Sequence, residues 1–301
     1  MEDTASRLIS IVRIKEHMKE SGLIEIMKKR YSCRSYTGKP ISVADRERLA
    51  ELINQSDSGP FGSRPAFKLI TSEPGDSESL KGLGTYGFIR KPAGFIIGSV
   101  NESPMYLEDF GYCMERIILH ATGIGLGTCW LGGTFKKSRF AEKAGIAENT
   151  EIPAVTATGY IAEKMTITEK LIRAGAGSDK RKSVHELFFS HELKRLDDAF
   201  YSSPYGTVLE MVRIAPSASN RQPWRIVRGR SGNDFHLFME RTKRYNNNRF
   251  VKSDLQRVDM GIAMCHFELA AKESGLKGSW IKKKPQDINT SAASEYIASW
   301  N

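Results

Sequence analysis

The residues of this chain best suited to contact a ligand lie in two short segments that are far apart in the sequence. The loop Pro216–Trp224 (PSASNRQPW) contains two prolines, which restrict the backbone, and small residues, which leave main-chain N–H groups accessible. Its Asn220 and Gln222 carry amides that both donate and accept hydrogen bonds. Such a loop can hydrogen-bond the edge of a planar heteroaromatic ring. The other segment, Arg30–Arg34 (RYSCR), carries two arginines and a serine.

Both segments resemble signatures of one protein family, the FMN-dependent nitroreductases. The loop is similar to their Pro-Ser-x-x-Asn-x-Gln-Pro-Trp signature, and Arg30–Arg34 is similar to the Arg-x-Ser-x-Arg signature near the start of that family. In the family the arginine signature grips the phosphate and ribityl of FMN, and the loop reaches over from the other subunit of a dimer. The resemblance implies these cofactor-binding residues: Arg30, Ser32, Arg34, Pro216, Ser217, Ala218, Asn220 and Gln222. Here both signatures lie on one chain.

A glycine-rich run, Gly123–Gly133, supplies a third part of the resemblance. Its first glycines are expected to end a helix and to form the turn that follows. Its last part resembles the nitroreductase segment whose backbone N–H groups lie under the isoalloxazine. The resemblance implies that the flavin face is lined by Trp130, Leu131, Gly132 and Gly133. Of these, Gly132 is the candidate donor to flavin N5.

The other basic residues that could contact the cofactor are assigned from weaker parts of the resemblance. In the family a basic pair after a Gly-Tyr strand completes the phosphate clamp. Arg173 is the stronger candidate for that place here and Lys170 the weaker one, although both could also coat a surface turn. Arg221 is either a cation near flavin N1 and C2=O or a solvent-facing side chain.

Two stretches of the chain match each other at a constant offset of 150 positions. Asp109–Trp130 aligns with Asp259–Trp280, and the two share, in register, Asp, Gly, Met, Leu, Ala, Gly, Leu and Trp. Apolar residues in each stretch follow the i, i+3, i+4 spacing of a buried helical face. Any two buried helices share such a stripe, but the matching Gly-Leu and Trp lie beyond the helix ends. We interpret the match as an internal duplication.

The two copies have kept different parts of the binding signatures. Where the first copy has the arginine signature, the second has Arg181 followed by His185, and its Trp280 precedes Ile-Lys-Lys-Lys instead of glycines. The first copy has Gly59–Ile70 in place of the Pro216 loop, without the Asn and Gln. A symmetric dimer has two equivalent sites at its two-fold interface. We therefore expect one FMN site per chain, between the copies, and a monomer that acts as an intramolecular pseudodimer.

No arrangement of histidine, cysteine, serine or carboxylate residues suggests acid–base or nucleophilic chemistry. The six histidines show neither His-x-x-x-His nor mixed Cys spacing, so a metal site is not expected. The four cysteines lack Cys-x-x-Cys spacing and suit core thiols in a reducing cytoplasm. The absence of catalytic side chains fits a flavoenzyme, in which the cofactor supplies the redox chemistry and the protein supplies position and electrostatics.

Composition is compatible with a cytoplasmic enzyme of two modest domains. The chain has 301 residues, 40% hydrophobic content and a formal net charge of +10. Its basic clusters are dispersed and accompany no nucleic-acid module, so we expect solvated surfaces and an attraction for anionic FMN and NAD(P)H rather than nucleic-acid binding. No apolar run approaches the ~18 residues of a membrane span. The acidic residues near the start argue against a signal peptide.

The resemblance, together with the internal match, implies an α+β, nitroreductase-like fold of two pseudo-symmetric lobes, each with a mixed, mostly antiparallel sheet flanked by helices. The expected divisions are an N-terminal helical extension over residues 1–20, a first lobe over 21–165 and a second lobe over 166–301. The expected function is NADH- or NADPH-dependent reduction of nitroaromatics, quinones or related small acceptors by hydride transfer through FMN N5. The alternative is a flavin-binding protein without turnover, for storage, sensing or scaffold stability.

Overall fold

The structure, a computed structural model, describes residues 22–56, 58–73, 80–85, 87–133, 135–147, 149–163, 180–243, 245, 253–288 and 294–301. The expected N-terminal extension lies outside the described residues, as does the expected boundary between the lobes at 165–166. Two of the candidate phosphate ligands, Lys170 and Arg173, also fall outside them.

Eight α-helices occur in the described residues, and short polar side chains cap the starts of several of them. In the first half they are α1 (Leu23–Lys29), α2 (Val43–Gln55), α3 (Tyr106–Gly123) and α4 (Lys137–Ala144); in the second half they are α5 (Val184–Leu187), α6 (Asp198–Tyr201), α7 (Pro204–Ile214) and α8 (Leu255–Glu273). Side-chain oxygens of Ser42, Asp197 and Ser203 accept backbone hydrogen bonds at the starts of α2, α6 and α7. In the described part of the chain, no helix is both long and apolar enough to cross a membrane.

The strands form two sheets. The first contains β1 (Ala66–Thr71), β2 (Gly94–Ser99), β3 (Leu126–Leu131) and β4 (Val155–Tyr160) in the order β1-β2-β4-β3, with antiparallel pairs. The second contains β5 (Phe188–Phe189), β6 (Trp224–Arg228), β7 (Phe235–Glu240), β8 (Trp280–Ile281) and β9 (Ser294–Trp300) in the order β5-β6-β7-β9-β8.

Both sheets are mixed but mostly antiparallel. In the second sheet β5 and β6 run parallel, and the other paired strands run antiparallel. In the first sheet the chain after α1 adds a parallel contact between Ser32 and Thr128 of β3. With helices flanking each sheet, this arrangement confirms the predicted α+β fold class.

The long helices α3 and α8 pack against each other and are buried along nearly their whole length. Each has a glycine where the two backbones meet. A Cβ at Gly111 would collide with the carbonyl oxygen of Val258, and a Cβ at Gly261 would collide with the carbonyl oxygen of Glu108. The two glycines are separated by the same 150 positions that relate the matching stretches of sequence. A side chain at either position would therefore push the helices apart.

One buried cluster extends through both halves of the chain. It includes Phe110 and Met114 of α3, Phe267 of α8 and Trp300 of β9. A second cluster packs α4 on the first sheet, where the rings of Phe95 and Phe140 meet edge to face at a centroid distance of 5.1 Å. The main cluster is common to both halves of the chain. One shared core therefore fixes the elements of the two halves relative to each other.

Candidate functional site

A cavity of about 1050 Å³ brings the two predicted binding segments together. Its walls also include the end of the glycine-rich run and side chains of α7 and α8, such as Met211, Val258 and Ile262. The expected site residues that line it are Arg30, Ser32, Arg34, Trp130, Gly132, Gly133, Pro216, Ser217, Ala218 and Asn220. Segments that lie far apart in the sequence thus meet at one place in the fold.

The segment Arg30–Arg34 leaves the end of α1 and runs beside β3. The backbone N–H of Arg30 donates to Ile26 O at 2.9 Å, and the N–H of Cys33 donates to Thr128 O at 2.8 Å. Cys33 is buried, whereas Ser32 and Arg34 on either side of it are partly exposed and line the cavity. Because side chains alternate along an extended chain, the bond to β3 directs these two residues into the cavity.

A buried carboxylate lies behind this part of the wall. Glu115 of α3 accepts a hydrogen bond from Nε1 of Trp130 at 2.7 Å, and Nε of Arg30 lies 4.0 Å from its other oxygen. That second oxygen is also 2.9 Å from Nε2 of His266 on α8. Sequence reasoning did not find this group, because its members lie on separate elements and share no motif.

The loop after α7 is fixed by a buried carboxyl group of α8. The backbone N–H of Ala218 donates to Oδ1 of Asp259 at 2.8 Å. Burial raises the pKa of Asp259 well above its usual range. The loop contains three non-glycine residues with positive φ, which are Ser219 (50°), Asn220 (53°) and Gln222 (48°). Such conformations are uncommon outside glycine and concentrate at functional sites.

The amides of Asn220 and Gln222 hold the neighbouring chain segment against the loop. Nδ2 of Asn220 donates to Lys180 O at 2.9 Å, and its Oδ1 accepts from Arg181. Oε1 of Gln222 accepts from the backbone N–H of Lys182 at 2.9 Å. Asn220 lines the cavity, whereas Gln222 is 1% exposed and does not. Gln222 therefore supports the loop from behind, away from the position expected for a ligand contact.

The glycine-rich run reaches the cavity at its end. Trp130, Gly132 and Gly133 line the wall. The intervening Leu131 ends β3 opposite Val155 and places its side chain in the second buried cluster, away from the cavity. A Cβ at Gly132 would collide with the side chain of Leu255 on α8. Glycine at this position therefore allows the run to approach α8 closely.

The cavity is strongly cationic. Besides the two arginines of the first segment, its walls include Lys28, Arg181, Arg221 and Lys243. The acidic side chains in the wall are Glu210, which pairs with Arg213, and Asp259, whose raised pKa favours its neutral form. This balance attracts anions. Sequence reasoning assigned Arg181 to the degenerate copy and did not single out Lys243.

The second sheet carries a hydrogen-bonded chain formed by Asp234, His236 and Ser299. It does not act as a catalytic Ser–His–Asp triad. Nδ1 of His236 lies 2.7 Å from Oγ of Ser299, and Nε2 lies 3.3 Å from Asp234. The Ser299 hydroxyl is buried and donates to Lys283 O at 2.9 Å, so it braces the sheet.

Across the residues that the structure describes, no group of three or more His, Cys, Asp or Glu side chains could hold a metal ion.

The fold is similar to that of a protein from Thermotoga maritima described as a "putative nitroreductase", with 18% identity and a TM-score of 0.56 over 92% of this chain and 91% of that one. Partial similarity extends to an FMN-dependent nitroreductase from Clostridium difficile R20291 (17% identity, TM-score 0.38, 47% of this chain and 88% of that one). A "putative NADH oxidase" from Clostridium acetobutylicum is similar to the same extent (22% identity, TM-score 0.37, 46% and 89%). No curated protein matches.

A family model covers most of the chain. The family described as "Putative TM nitroreductase" matches residues 22–271. The match includes Arg30–Arg34, the glycine-rich run, the loop after α7, all of α3 and all but the last two residues of α8. The elements that build the cavity therefore all lie within the matched region, and the chain belongs to this nitroreductase family of oxidoreductase enzymes.

Proposed function

We propose that this chain is an FMN-dependent oxidoreductase that uses NADH or NADPH to reduce small acceptors such as nitroaromatics or quinones. The observation that carries the proposal is the shared cavity. Arg30–Arg34 and Pro216–Arg221, which resemble the two halves of a flavin site, line one space of about 1050 Å³. Ligand cavities are roughly 300–1,000 Å³. The space is therefore large enough for a cofactor together with a second small molecule.

The lining residues fit a phosphorylated flavin. Guanidinium groups such as those of Arg30 and Arg34 form strong, often paired hydrogen bonds to phosphate. The loop and the glycine-rich run offer backbone groups for the edge of a polar ring, while Trp130, Val258 and Ile262 offer apolar surface for its faces. A site that combines apolar walls with a few converging polar groups is typical of cofactor binding.

Each part of the wall has a task in this proposal. Arg30, Ser32 and Arg34 hold the phosphate, and the positive charge of Arg221 stabilises negative charge on the ring. The backbone N–H of Gly132 is the candidate donor to the ring nitrogen N5. Bound FMN supplies the hydride-transfer chemistry, and the protein supplies orientation and charge. The apolar side chains of α7 and α8 keep water from the ring.

We also propose one FMN per chain, in a monomer. A smaller cavity is lined by Tyr112 of α3, which corresponds at the 150-position offset to Ile262 in the wall of the main cavity. The smaller cavity measures about 240 Å³. This is below the roughly 300 Å³ of the smallest ligand pockets, which supports a single functional site.

Flavin spectroscopy tests the proposal. After incubation with FMN and desalting, the protein should retain flavin absorbance. Under anaerobic conditions NADH or NADPH should bleach this absorbance, and a nitroaromatic or a quinone should restore it. A flavin that stays bound but is not bleached by either nucleotide would indicate a binding protein without turnover. Failure to retain FMN at all would overturn the proposal.

A further inference from the structure

Glu115 and His266 form a buried pair directly behind the cavity wall. The two side chains come from the two central helices, and both are 0% exposed. Neither lines the cavity, but three residues that contact the pair do, namely Arg30, Trp130 and Met211. The pair can therefore act on a ligand only through these wall residues.

The hydrogen bonds of His266 determine how many protons the pair holds. Nδ1 lies 3.0 Å from the carbonyl oxygen of Met211, which can only accept, so Nδ1 carries a proton. Nε2 lies 2.9 Å from Oε1 of Glu115. Two bare acceptors would repel at that distance, so one proton lies between these atoms. Whether it resides on nitrogen or on oxygen, the pair as a whole has no net charge.

This neutrality matters because of the two wall residues next to Glu115. Its Oε2 accepts the indole N–H of Trp130 at 2.7 Å, and its Oε1 lies 4.0 Å from Nε of Arg30. A lone carboxylate would also accept the indole N–H, but its negative charge would offset the positive charge of Arg30. The proton shared with His266 compensates the carboxylate and leaves the charge of Arg30 available to an anion in the cavity.

We propose that Glu115 is a positioning residue for Trp130, and that His266, by neutralising Glu115, preserves the net charge of Arg30 for the phosphate of the cofactor. The inference rests on the proposed function, because phosphate binding by Arg30 is part of that function. It assigns a role to two residues that do not touch the cofactor.

Binding of FMN and riboflavin to His266→Gln tests the charge argument. Glutamine can still donate toward Glu115 but cannot share a second proton, so the carboxylate next to Arg30 becomes uncompensated. One such charge in the protein interior should weaken FMN binding on the order of tenfold. Riboflavin, which lacks the phosphate, should change by less than about threefold. The measurements belong at mildly alkaline pH.

Glu115→Gln is the matched control. Its amide oxygen can accept from Trp130, and its NH₂ can donate to Nε2 of a neutral His266, so the geometry and the neutrality of the pair are both kept. The ratio of FMN affinity to riboflavin affinity should then stay within about threefold of wild type, because the net charge next to Arg30 is unchanged. The double variant Glu115→Gln/His266→Gln removes the uncompensated carboxylate and should recover FMN affinity. Weak FMN binding by the double variant, or equal weakening of FMN and riboflavin by His266→Gln, would indicate a packing role and overturn the proposal.

Histidine ¹⁵N NMR of the wild-type protein without ligand tests the proton count independently. Nδ1 of His266 should be protonated, and a strongly deshielded proton between Nε2 and Glu115 should disappear in Glu115→Gln. A bare Nδ1 would overturn the assignment. If these signals are found but neither FMN nor riboflavin binds, the proposed function and the phosphate role of Arg30 are overturned, whereas the shared proton is supported.

Discussion

Asp109 and Asp259 occupy corresponding turns of the two central helices, yet the first accepts two backbone hydrogen bonds and the second accepts one. The N–H groups of Phe61 and Ser63 donate to the two oxygens of Asp109 at 2.9 and 2.8 Å. Ala218 N–H donates to Oδ1 of Asp259 at 2.8 Å, and no donor within the described residues reaches its Oδ2. Both side chains anchor a loop, but they use different numbers of oxygens.

This difference predicts unequal effects of the same substitution. Asp109→Asn places an NH₂ group against a backbone N–H and should lower the free energy of unfolding by about 1–3 kcal/mol. Asp259→Asn keeps the acceptor for Ala218 and should cost less than about 1 kcal/mol. Chemical denaturation of the two variants without ligand measures both values. Equal losses would contradict the assigned hydrogen bonds.

The stability of Asp259→Asn relative to wild type should also depend on pH. Because burial raises the pKa of Asp259, the folded protein keeps a proton that the unfolded chain releases above the usual carboxyl range. Wild-type stability therefore falls as pH rises from that range toward the folded pKa. The asparagine variant lacks this loss, so its relative stability should increase from mildly acidic to neutral pH. Asp109, whose pKa burial also raises, is present in both proteins and cancels. A difference that stays constant with pH would contradict the neutral form of Asp259.

The phosphate clamp predicts a ligand-specific effect of Arg34→Ala. Loss of a charge-assisted contact to phosphate should cost about 1.5–3 kcal/mol, or roughly ten- to hundredfold in FMN affinity. Riboflavin affinity should be almost unchanged. Arg64→Ala is the control, because Arg64 is an exposed arginine of the loop before β1 and does not line the cavity. Calorimetric titration with both ligands gives the comparison, and equal weakening of FMN and riboflavin would place Arg34 away from the phosphate.

The meeting of Arg30–Arg34 with the loop after α7 could be predicted because each segment keeps its own recognisable pattern. The correspondence of α3 with α8 was likewise visible as two matching helical stretches, whereas their packing against each other was not. The direction of the Gln222 side chain could not be predicted, because an amide pairs equally well with a ligand or with a backbone N–H. The Glu115–His266 pair could not be predicted from the sequence either, since it depends on how closely Gly111 and Gly261 let the two helices approach.

Gln222→Ala should therefore affect stability more than cofactor binding. It removes the acceptor of the Lys182 N–H at a residue that is almost fully buried, which should lower the free energy of unfolding by about 1–3 kcal/mol. The loss should be the same with and without saturating FMN, because Gln222 does not line the cavity. Asn220→Ala, at a lining residue that also holds Lys180, should reduce both the stability without ligand and the increment due to FMN. A Gln222→Ala loss confined to the FMN increment would instead place this amide on the flavin.

The number of FMN molecules per chain tests whether the chain holds a second flavin site. Only the main cavity combines Arg30 and Arg34 with the loop that carries Asn220, so saturated protein should contain one FMN per chain and should sediment as a monomer. Tyr112→Ala should enlarge the second cavity without adding an FMN, because His185 occupies the position that corresponds to Arg34. Flavin absorbance against protein concentration, combined with analytical ultracentrifugation, gives both quantities. Two tightly bound FMN molecules per chain would contradict a single functional site. Release of FMN in step with dissociation of an oligomer would show that the site needs a second chain.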